Sequence, residues 1–505
     1  MNLAGLVDAH AGDRRALCGP TGWSTWGEIR AAAASLRDGL VALGISPGDR
    51  VALAWPTSME FVVGYLGALA AGATVVPLNP ASPRAELERE LDFVDPAAVV
   101  CGGSCAEEIA AICESHADGP ALVAPGVGSQ RGSADWHALT DGSGVTAALL
   151  GAVDRDDGDV AVMLFTSGTA GSPRLAMLTH GNLVSNLRQM LDVPGTLLGG
   201  DDVGLAAVPL HHVFGLNVVL GLTLATGAGL VCEERFDPAE ALDLVERRGV
   251  TVVAGAPPMF ADWARVAEDG ERHFSHVRLV LSGASALEPE TAERFTSRFG
   301  VPLWQGYGLT EASPAVATSV GLEAPRPGSV GRPLPGLSLK LVDESGEDAL
   351  CDDPGEIWVR GPNVFAGYWR DPDATRAVLD SARWLHTGDV GVLDDAGELH
   401  VVDRLKDLII VSGFNVIPSE VEQVIRGIEG VKETVVFGVP DLRTGESVEA
   451  LVVPEAGAEP HASDIVDRCA VHLAHYKVPK TVKFVDALPH GATGKTLRRL
   501  AREIG

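Results

Sequence analysis

Up to about residue 320 the chain alternates short, almost wholly apolar runs with amphipathic helical patterns. The runs Val51–Trp55, Ala98–Cys101, Val160–Phe165, Val252–Ala254 and Leu279–Ser282 lack the polar alternation of a strand with one wet face. Strands of that kind need cover on both faces, which flanking helices supply. The pattern therefore predicts an α/β protein with doubly wound, parallel sheets. From Gly328 to about Val402 the character changes to short strands with many Gly and Pro turns, as at Leu337–Val342 and Gly355–Val359. A β-rich subdomain or distorted barrel is expected there.

The last hundred residues read as a separate, small and mobile α+β domain. Ser419 and Glu422 have capping-box spacing, and Val421, Val424, Ile425 and Ile428 make one apolar helix face. Strands are expected at Thr434–Gly438, Val448–Val453 and Thr481–Phe484, with a helix near Ile465–Ala474. At roughly 100–200 residues per domain, 505 residues allow two to four domains. The expected division is a large N-terminal domain over 1–402, including the β-rich subdomain at about 328–402, and a small C-terminal domain over 403–505.

Two uncharged stretches, Phe61 to Leu78 and Val203 to Cys232, reach membrane-spanning length. Both are broken by glycine and proline: Gly64, Gly67, Gly72 and Pro77 in the first, Pro209, Gly215, Gly221, Gly227 and Gly229 in the second. Each reads better as an apolar helix leading into a buried strand, at Ala73–Pro77 and Gly229–Cys232, than as a lipid span. The formal charge is −29, so a nucleic-acid-coating role is disfavoured. Residues 403–505 carry only −2 of it, with Lys477, Lys480, Lys483, Lys495, Arg498, Arg499 and Arg502 concentrated near the end. That basic tail suits polyanionic small ligands, and equally a solvated surface. Seven scattered cysteines without CxxC spacing give no support to a zinc ribbon or disulfide scaffold. The opening residues contain no signal-like apolar core, so a cytoplasmic setting is expected.

After the strand Val160–Phe165 comes Thr166-Ser167-Gly168-Thr169-Ala170-Gly171-Ser172-Pro173-Arg174. Small hydroxylated residues and glycines behind a buried strand can turn backbone N–H groups and hydroxyls toward a polyphosphate, and Arg174 adds a cation. Gly306-Tyr307-Gly308-Leu309-Thr310-Glu311 offers an aromatic face for a base and a carboxylate suited to hydrated Mg²⁺. Thr387-Gly388-Asp389 could bind a ribose diol, Asp403-Arg404-Leu405-Lys406-Asp407 sits at the domain boundary, and Gly494-Lys495 lies near the end. Singly, each has a bland structural explanation.

In this order the segments closely resemble the adenylate-forming superfamily, which holds acyl-CoA synthetases, nonribosomal peptide adenylation domains and beetle luciferases. The likeness runs from about Trp26 to Arg499. Val402–Ile409, Val411–Val416, Pro209–Gly215 and Leu488–Arg499 are most similar to bacterial fatty acyl-CoA synthetases. The resemblance implies a two-step ligase using ATP, Mg²⁺ and coenzyme A: a carboxylate attacks the α-phosphate to give acyl-AMP, then the thiol of coenzyme A displaces AMP. It also implies roles. Lys495 would bridge carboxylate and α-phosphate. Glu311, with Thr169, would hold Mg²⁺. Thr166, Ser167, Gly168, Thr169 and Arg174 would hold the β- and γ-phosphates. Gly283, Ala284, Tyr307, Gly308 and Thr310 would flank the adenine end, and Asp389 with Arg404 would grip the ribose. Lys406 would be the hinge, with Gly413 and Phe414 along the pantetheine passage.

Three residues depart from the family pattern. Arg174-Leu175 stands where the family loop usually ends in Lys-Gly, and Ala284 replaces a glycine common beside the adenine. If position 175 demands positive φ, leucine there stores about 1–3 kcal/mol of strain. Amino-acid adenylation domains place an aspartate in the His212 region, and none occurs around Val213–Val219. The acyl pocket implied by His211, His212, Val213, Phe214, Gly215, Asn217, Ala254, Trp304 and Gly306 is mostly apolar. A medium- or long-chain fatty acid is the first expectation, with aryl or short branched acids second. An acyl-AMP ligase serving a carrier protein, and a slow nucleotide- and acyl-binding protein, are the competing readings. Small-molecule substrates are the expected partners.

Overall fold

The computed structural model describes residues 1–505 except 116–118, 128–131, 142–148, 167–173, 196, 268–269, 344, 405–406, 408, 412–413, 442, 491–495 and 505; for Glu271, Arg404, Phe414, Asn415 and Arg499 it describes the backbone alone. The chain divides into two compact units, Met1–Ser338 with Val359–Leu385, and Leu339–Trp358 with His386–Gly505.

The first unit holds two large sheets. One has nine strands, running Arg332–Pro333, Ala315–Thr318, Leu303–Gly308, Leu279–Ser282, Val252–Gly255, Val203–Ala206, Gly229–Cys232, Arg15–Gly19 and Gly22–Thr25. Its centre is parallel, from Leu303–Gly308 across to Arg15–Gly19, with antiparallel pairs at both edges. The other has eight strands, running Gly367–Tyr368, Arg174–Thr179, Val160–Thr166, Thr74–Pro77, Arg50–Ala54, Ala98–Cys101, Ala121–Ala124 and Ala134–Asp135. The apolar runs are its inner strands: Thr74–Pro77 and Ala98–Cys101 are buried at every position. The doubly wound architecture is as the sequence predicts.

Both long uncharged stretches fold inside this unit. The first is a helix, Met59–Ala70, capped by Ser58 and followed by the strand Thr74–Pro77. Twelve residues span about 18 Å, too short for a bilayer. Gly64 and Gly67 let it pack closely: a Cβ at Gly67 would meet Leu36 Cδ2 at 2.8 Å, and one at Gly64 would meet Leu53 Cδ1 at 2.8 Å. The second stretch is strand Val203–Ala206, a π-helical segment Phe214–Gly221, a short α-helix Leu222–Thr226 and strand Gly229–Cys232. Among the described residues no helix is long and apolar enough to cross a membrane.

In the second unit the β-rich segment builds a four-stranded sheet, ordered Ser338–Val342, Gly355–Arg360, Leu385–Leu393, Leu399–Arg404. A five-stranded sheet follows, ordered Phe414–Val416, Ile409–Val411, Gly445–Pro454, Val431–Asp441, with Thr481–Phe484 parallel to Gly445–Pro454. Its long antiparallel pair obeys period two. Val436, Val448, Ala450 and Val452 face a core with Val421 and Ile425 of helix Pro418–Arg426 and Ile465 of helix Ala462–His472. Val435, Phe437, Leu451 and Val453 face a second cluster with Leu488 and Ala501.

Two expectations here are corrected. Ser419 and Glu422 do not form a capping box: the helix begins at Pro418 with no side-chain cap. Glu422 is committed elsewhere, its Oε1 accepting from Val436 N at 2.9 Å and from Arg498 Nη2 at 2.9 Å, while Ser419 Oγ donates to Val402 O. Nor is the basic tail a bare cationic surface. Lys477 pairs with Glu420 at 2.6 Å, Lys483 with Glu449 at 2.7 Å, and Lys480 with Asp441.

Candidate active site

Ligands of open α/β sheets bind beyond the carboxyl ends of parallel strands. In the nine-stranded sheet those ends bring Gly255, Ser282 and Gln305 into one row, by the registers Gly255↔Ser282 and Ser282↔Gln305. Gly283 follows directly, its N–H donating to Gly255 O at 3.0 Å. A Cβ on Gly283 would stand 3.0 Å from the Phe214 ring, so glycine lets that ring lie against the strand end. Ala284 is exposed and adopts φ 71°, the left-handed region that glycine tolerates and alanine does not favour.

Strand Leu303–Gly308 divides its residues between two faces. Trp304 and Gly306 share one, while Tyr307 alternates to the other with the buried Gln305. Gly308 has a backbone reason to be glycine: a Cβ there would sit 2.3 Å from Pro314 O. Thr310 and Glu311 follow in the 3₁₀ turn Thr310–Ala312. That turn is pinned along its backbone. Phe365 N donates to Glu311 O at 2.9 Å, Asn363 Nδ2 to Ala312 O at 2.8 Å, and Asn217 Nδ2 to Ser313 O at 2.7 Å. Asn217, expected in the acyl wall, is thus a brace: it is 1% exposed and its amide also reaches Leu183 O.

The segment expected to hold phosphates is flanked by strands of the eight-stranded sheet. Thr166 ends one strand and faces Arg174 at the start of the next. Ser167, Gly168 and Thr169 lie outside the described residues. Arg174 Nε lies 3.5 Å from Asp371 Oδ2, and its guanidinium carbon stands 5.4 Å from the Tyr368 ring centroid. Tyr368 Oη donates to Glu311 Oε1 at 2.7 Å. Burial, and then the Glu311 carboxylate, push the Tyr368 phenol well above its ordinary pKa, so it remains a donor. Asp371 Oδ1 caps helix Pro372–Val378 through Ala374 N at 2.9 Å.

The strain expected at Leu175 is absent. Leu175 sits in the ladder opposite Phe165, 0% exposed, in a core with Val76, Leu78 and Met163. It is not among the positive-φ residues, whereas Ala284 is. An extended backbone in a buried strand has no use for glycine, so of the two departures the strained one is Ala284.

On the face carrying Ala254, Leu281 and Trp304, brought together by register, an apolar cavity of about 30 Å³ opens. Ala254, Leu281, Val252 and Leu279 line its floor, and Val218, Val219 and Leu222 its roof. His211 and His212 stand with ring centroids 4.5 Å apart. Burial holds both imidazoles neutral, His211 down to about 3 with His212 adding to the effect. Their Nε2 atoms are buried and have no hydrogen-bond partner among the described residues. Gly215 answers the backbone rather than the pocket, since a Cβ would sit 2.2 Å from Pro209 O. Val213 and Phe214 are half-buried beside the histidines.

The second unit carries Asp389 and Arg404 as cross-strand partners of an antiparallel pair. Asp389 is buried, and its N–H donates to Thr387 Oγ1 at 3.1 Å while Gly388 N donates to Glu356 Oε1 at 2.9 Å. Lys406, Gly413 and Lys495 lie outside the described residues, as does the side chain of Phe414. His490 and Thr496, on either side of 491–495, pair as an antiparallel bridge. Arg498 joins Asp403 at 2.7 Å and Glu422 at 2.9 Å, with Asp407 at 3.6 Å. Tyr368 and Asp371 were not anticipated from sequence, and Arg498 was singled out only as part of the basic tail. Tyr368 stands 57 residues from Glu311, and no spacing rule links them.

A sequence model described as AMP-binding enzyme matches residues 7–369, and one described as AMP-binding enzyme C-terminal domain matches residues 420–495. The chain is 37% identical over 475 residues to a feruloyl-CoA synthase of Amycolatopsis sp, covering 94% of this chain and 92% of that protein. It is 35% identical over 501 residues to a long-chain-fatty-acid–CoA ligase of Escherichia coli O157:H7, covering 94% and 88%. Among solved structures, ATP-bound MatB from Rhodopseudomonas palustris aligns with a TM-score of 0.90 at 34% identity, covering 100% of this chain and 98% of that one. The chain belongs to the AMP-binding enzyme family, and with it to the adenylate-forming superfamily.

Proposed function

We propose, from that membership, that this enzyme joins an apolar carboxylic acid, first among them a medium- or long-chain fatty acid, to coenzyme A. In the first step the acid's carboxylate oxygen attacks the α-phosphorus of ATP and pyrophosphate leaves, giving acyl-AMP. In the second the thiolate of coenzyme A attacks the acyl carbonyl and AMP leaves. A carboxylate approaching an anionic phosphate needs cations and positioning more than covalent help. Arg174 and Lys495 are the cations assigned here, with Lys495 between carboxylate and α-phosphate. Tyr307, Gly308, Gly283 and Ala284 flank adenine, Thr310 stands beside them, and Asp389 with Arg404 takes the ribose. The hinge is assigned to Lys406 and the pantetheine passage to Gly413 and Phe414.

Mg²⁺ fits the donor set. Glu311 offers one hard carboxylate, with Thr169 and phosphate oxygens completing it, which is how Mg²⁺ is usually held beside a nucleotide. Bound there, Mg²⁺ supplies charge neutralisation to the leaving pyrophosphate.

The observation that carries the choice of acid is the wall around Ala254. Val218, Val219, Val252 and Leu281 line it without a charged side chain, Trp304 is the register partner of Leu281 on the same sheet face, and His211 and His212 are held neutral. A second carboxylate or an ammonium on the substrate would find no counter-charge there. The named activities of the relatives, feruloyl-CoA synthase and long-chain-fatty-acid–CoA ligase, both involve acids with large apolar bodies. The aromatic rings of Phe214 and Trp304 favour an aryl acid as the second reading. Acyl-CoA formation and pyrophosphate release over saturated acids, benzoate, cinnamates and dicarboxylates test the choice. For a fatty acid, kcat/KM should climb about four-fold per methylene until the wall is filled. A cinnamate turned over ten-fold better than every saturated acid would establish the aryl reading instead. Pyrophosphate release without coenzyme A consumption would make the enzyme an acyl-AMP ligase.

A further inference from the structure

We infer that Tyr368 is a positioning residue for adenylation, holding Glu311 so that one carboxylate oxygen stays turned to the nucleotide's metal. The inference rests on the assignment of Glu311 above and adds a residue that assignment does not contain. Glu311 has two oxygens, and Oε1 is occupied by the Tyr368 hydroxyl at 2.7 Å. A carboxylate tied at one oxygen has its side-chain torsions fixed and presents the other.

Tyr368 is itself fixed from several sides. It is 8% exposed and paired with Ala176 in the edge strand of the eight-stranded sheet. Its N–H donates to Thr375 Oγ1 at 2.8 Å, and its ring meets Phe365 edge-on with centroids 5.0 Å apart. The same ring lies beneath the Arg174 guanidinium, which its negative face attracts. One aromatic residue therefore touches the anion expected to hold the metal and the cation expected to hold the phosphates. A core hydrogen bond of no functional use would not need to meet both.

Tyr368→Phe removes the hydroxyl and keeps the ring. Losing a hydrogen bond to a charged group should raise the Mg²⁺ concentration for half-maximal pyrophosphate release about ten-fold at saturating ATP. Mn²⁺ binding in the presence of a non-hydrolysable ATP analogue, read by electron paramagnetic resonance, should weaken by a similar factor. The analogue's affinity without metal should stay within about two-fold, a change of under 0.5 kcal/mol. If Tyr368 acts through Glu311, adding Tyr368→Phe to Glu311→Ala should change metal dependence no further. Unchanged Mn²⁺ affinity in Tyr368→Phe, or additive losses in the double variant, would overturn the role of Tyr368. Glu311→Ala with unchanged metal dependence would instead overturn the assignment of Glu311, so the two failures are distinguishable. A melting temperature close to the parent's confirms that Tyr368→Phe is folded when these are read.

Discussion

Replacing Arg174-Leu175 by the Lys-Gly pair common in the family should weaken this protein, not speed it. Leu175 is 0% exposed and packed among Val76, Leu78 and Met163, on the strand next to the edge of the eight-stranded sheet. Truncating a buried leucine to alanine costs about 2–5 kcal/mol, and glycine in a strand interior adds about 0.5–1 kcal/mol over alanine. No relief of strain offsets this, because Leu175 is extended and its carbonyl already accepts from Trp369 N at 2.8 Å. The sum is a loss of roughly 3–6 kcal/mol, a large part of the 5–15 kcal/mol typical of a folded domain. For a unit of this size that corresponds to a melting temperature lower by about 4–8 °C. Arg174→Lys alone should leave the melting temperature within about 1 °C, since that side chain is partly exposed and its ion pair is loose at 3.5 Å. Differential scanning calorimetry of both single variants and the double variant, with pyrophosphate release at a temperature where all are folded, measures this. A Leu175→Gly protein that melts with the parent, or a double variant that adenylates five-fold faster, would show that the strand does not depend on Leu175 and that position 175 is strained after all.

Ala284→Gly should raise the melting temperature by about 1 °C: removing a left-handed alanine gains about 1–2 kcal/mol, and the freer unfolded chain takes back part of it. A fall in melting temperature by calorimetry would refute the strain assignment. Asp371→Asn keeps the helix cap but removes the anion beside Arg174, so the KM for ATP should fall about two- to five-fold at low salt, discounted for partial exposure; an unchanged or higher KM counts against Arg174 facing the phosphates. Lys495→Ala should nearly abolish acyl-AMP formation while leaving conversion of supplied acyl-AMP and coenzyme A intact; equal loss of both half-reactions would refute its role. His180 is buried and its pKa falls from 6.5 to about 4, mainly by desolvation. Its contribution is therefore full above about pH 6.5 and declines as pH drops toward 4, so His180→Gln should flatten that part of the stability curve; an acid limb unchanged in urea titrations would exclude it.

Much of the fold was legible because it rests on local signals. Ala98–Cys101 and Leu279–Ser282 read as strands buried on both faces, and they are. The glycine and proline breaks in Phe61–Leu78 announced a helix and a strand rather than a lipid span. What failed had long-range causes. Ser419 and Glu422 have capping-box spacing, yet a half-buried arginine 76 residues from Glu422 claims its carboxylate. The π-helical turn at Phe214–Gly221 is apolar except for Asn217, and nothing in its composition separates it from an α-helix. Leu175 was misread by comparison with a family loop, although Leu175-Ala176-Met177-Leu178 is itself an unbroken apolar run of the buried-strand kind. Position 284 shows the reverse case: an alanine in place of a glycine sits where the backbone needs φ of 71°.

The motifs assigned to the nucleotide sit on two different sheets, which extends the role proposed for Tyr368 beyond its own hydrogen bond. Tyr307, Thr310 and Glu311 extend from the nine-stranded sheet, whereas Thr166 and Arg174 end strands of the eight-stranded one. A nucleotide whose adenine lies on the first and whose phosphates reach the second requires the two to be held in fixed relation. The segment 363–371 performs that task. Asn363 and Phe365 hold the Thr310–Ser313 turn, Tyr368 reaches Glu311, and Asp371 meets Arg174. Gly367 and Tyr368 meanwhile join the eight-stranded sheet beside Ala176 and Met177. One short stretch of chain therefore fastens Glu311, the carboxylate assigned to the metal, to the strand Arg174–Thr179 through both backbone and side chain. Tightness there costs little to maintain, because Asn363 is wholly buried and Tyr368 nearly so, where water does not compete for their hydrogen bonds. Preorganisation of this kind lowers the reorganisation needed when charge builds on the leaving pyrophosphate, which is where a phosphoryl-transfer site gains most of its rate.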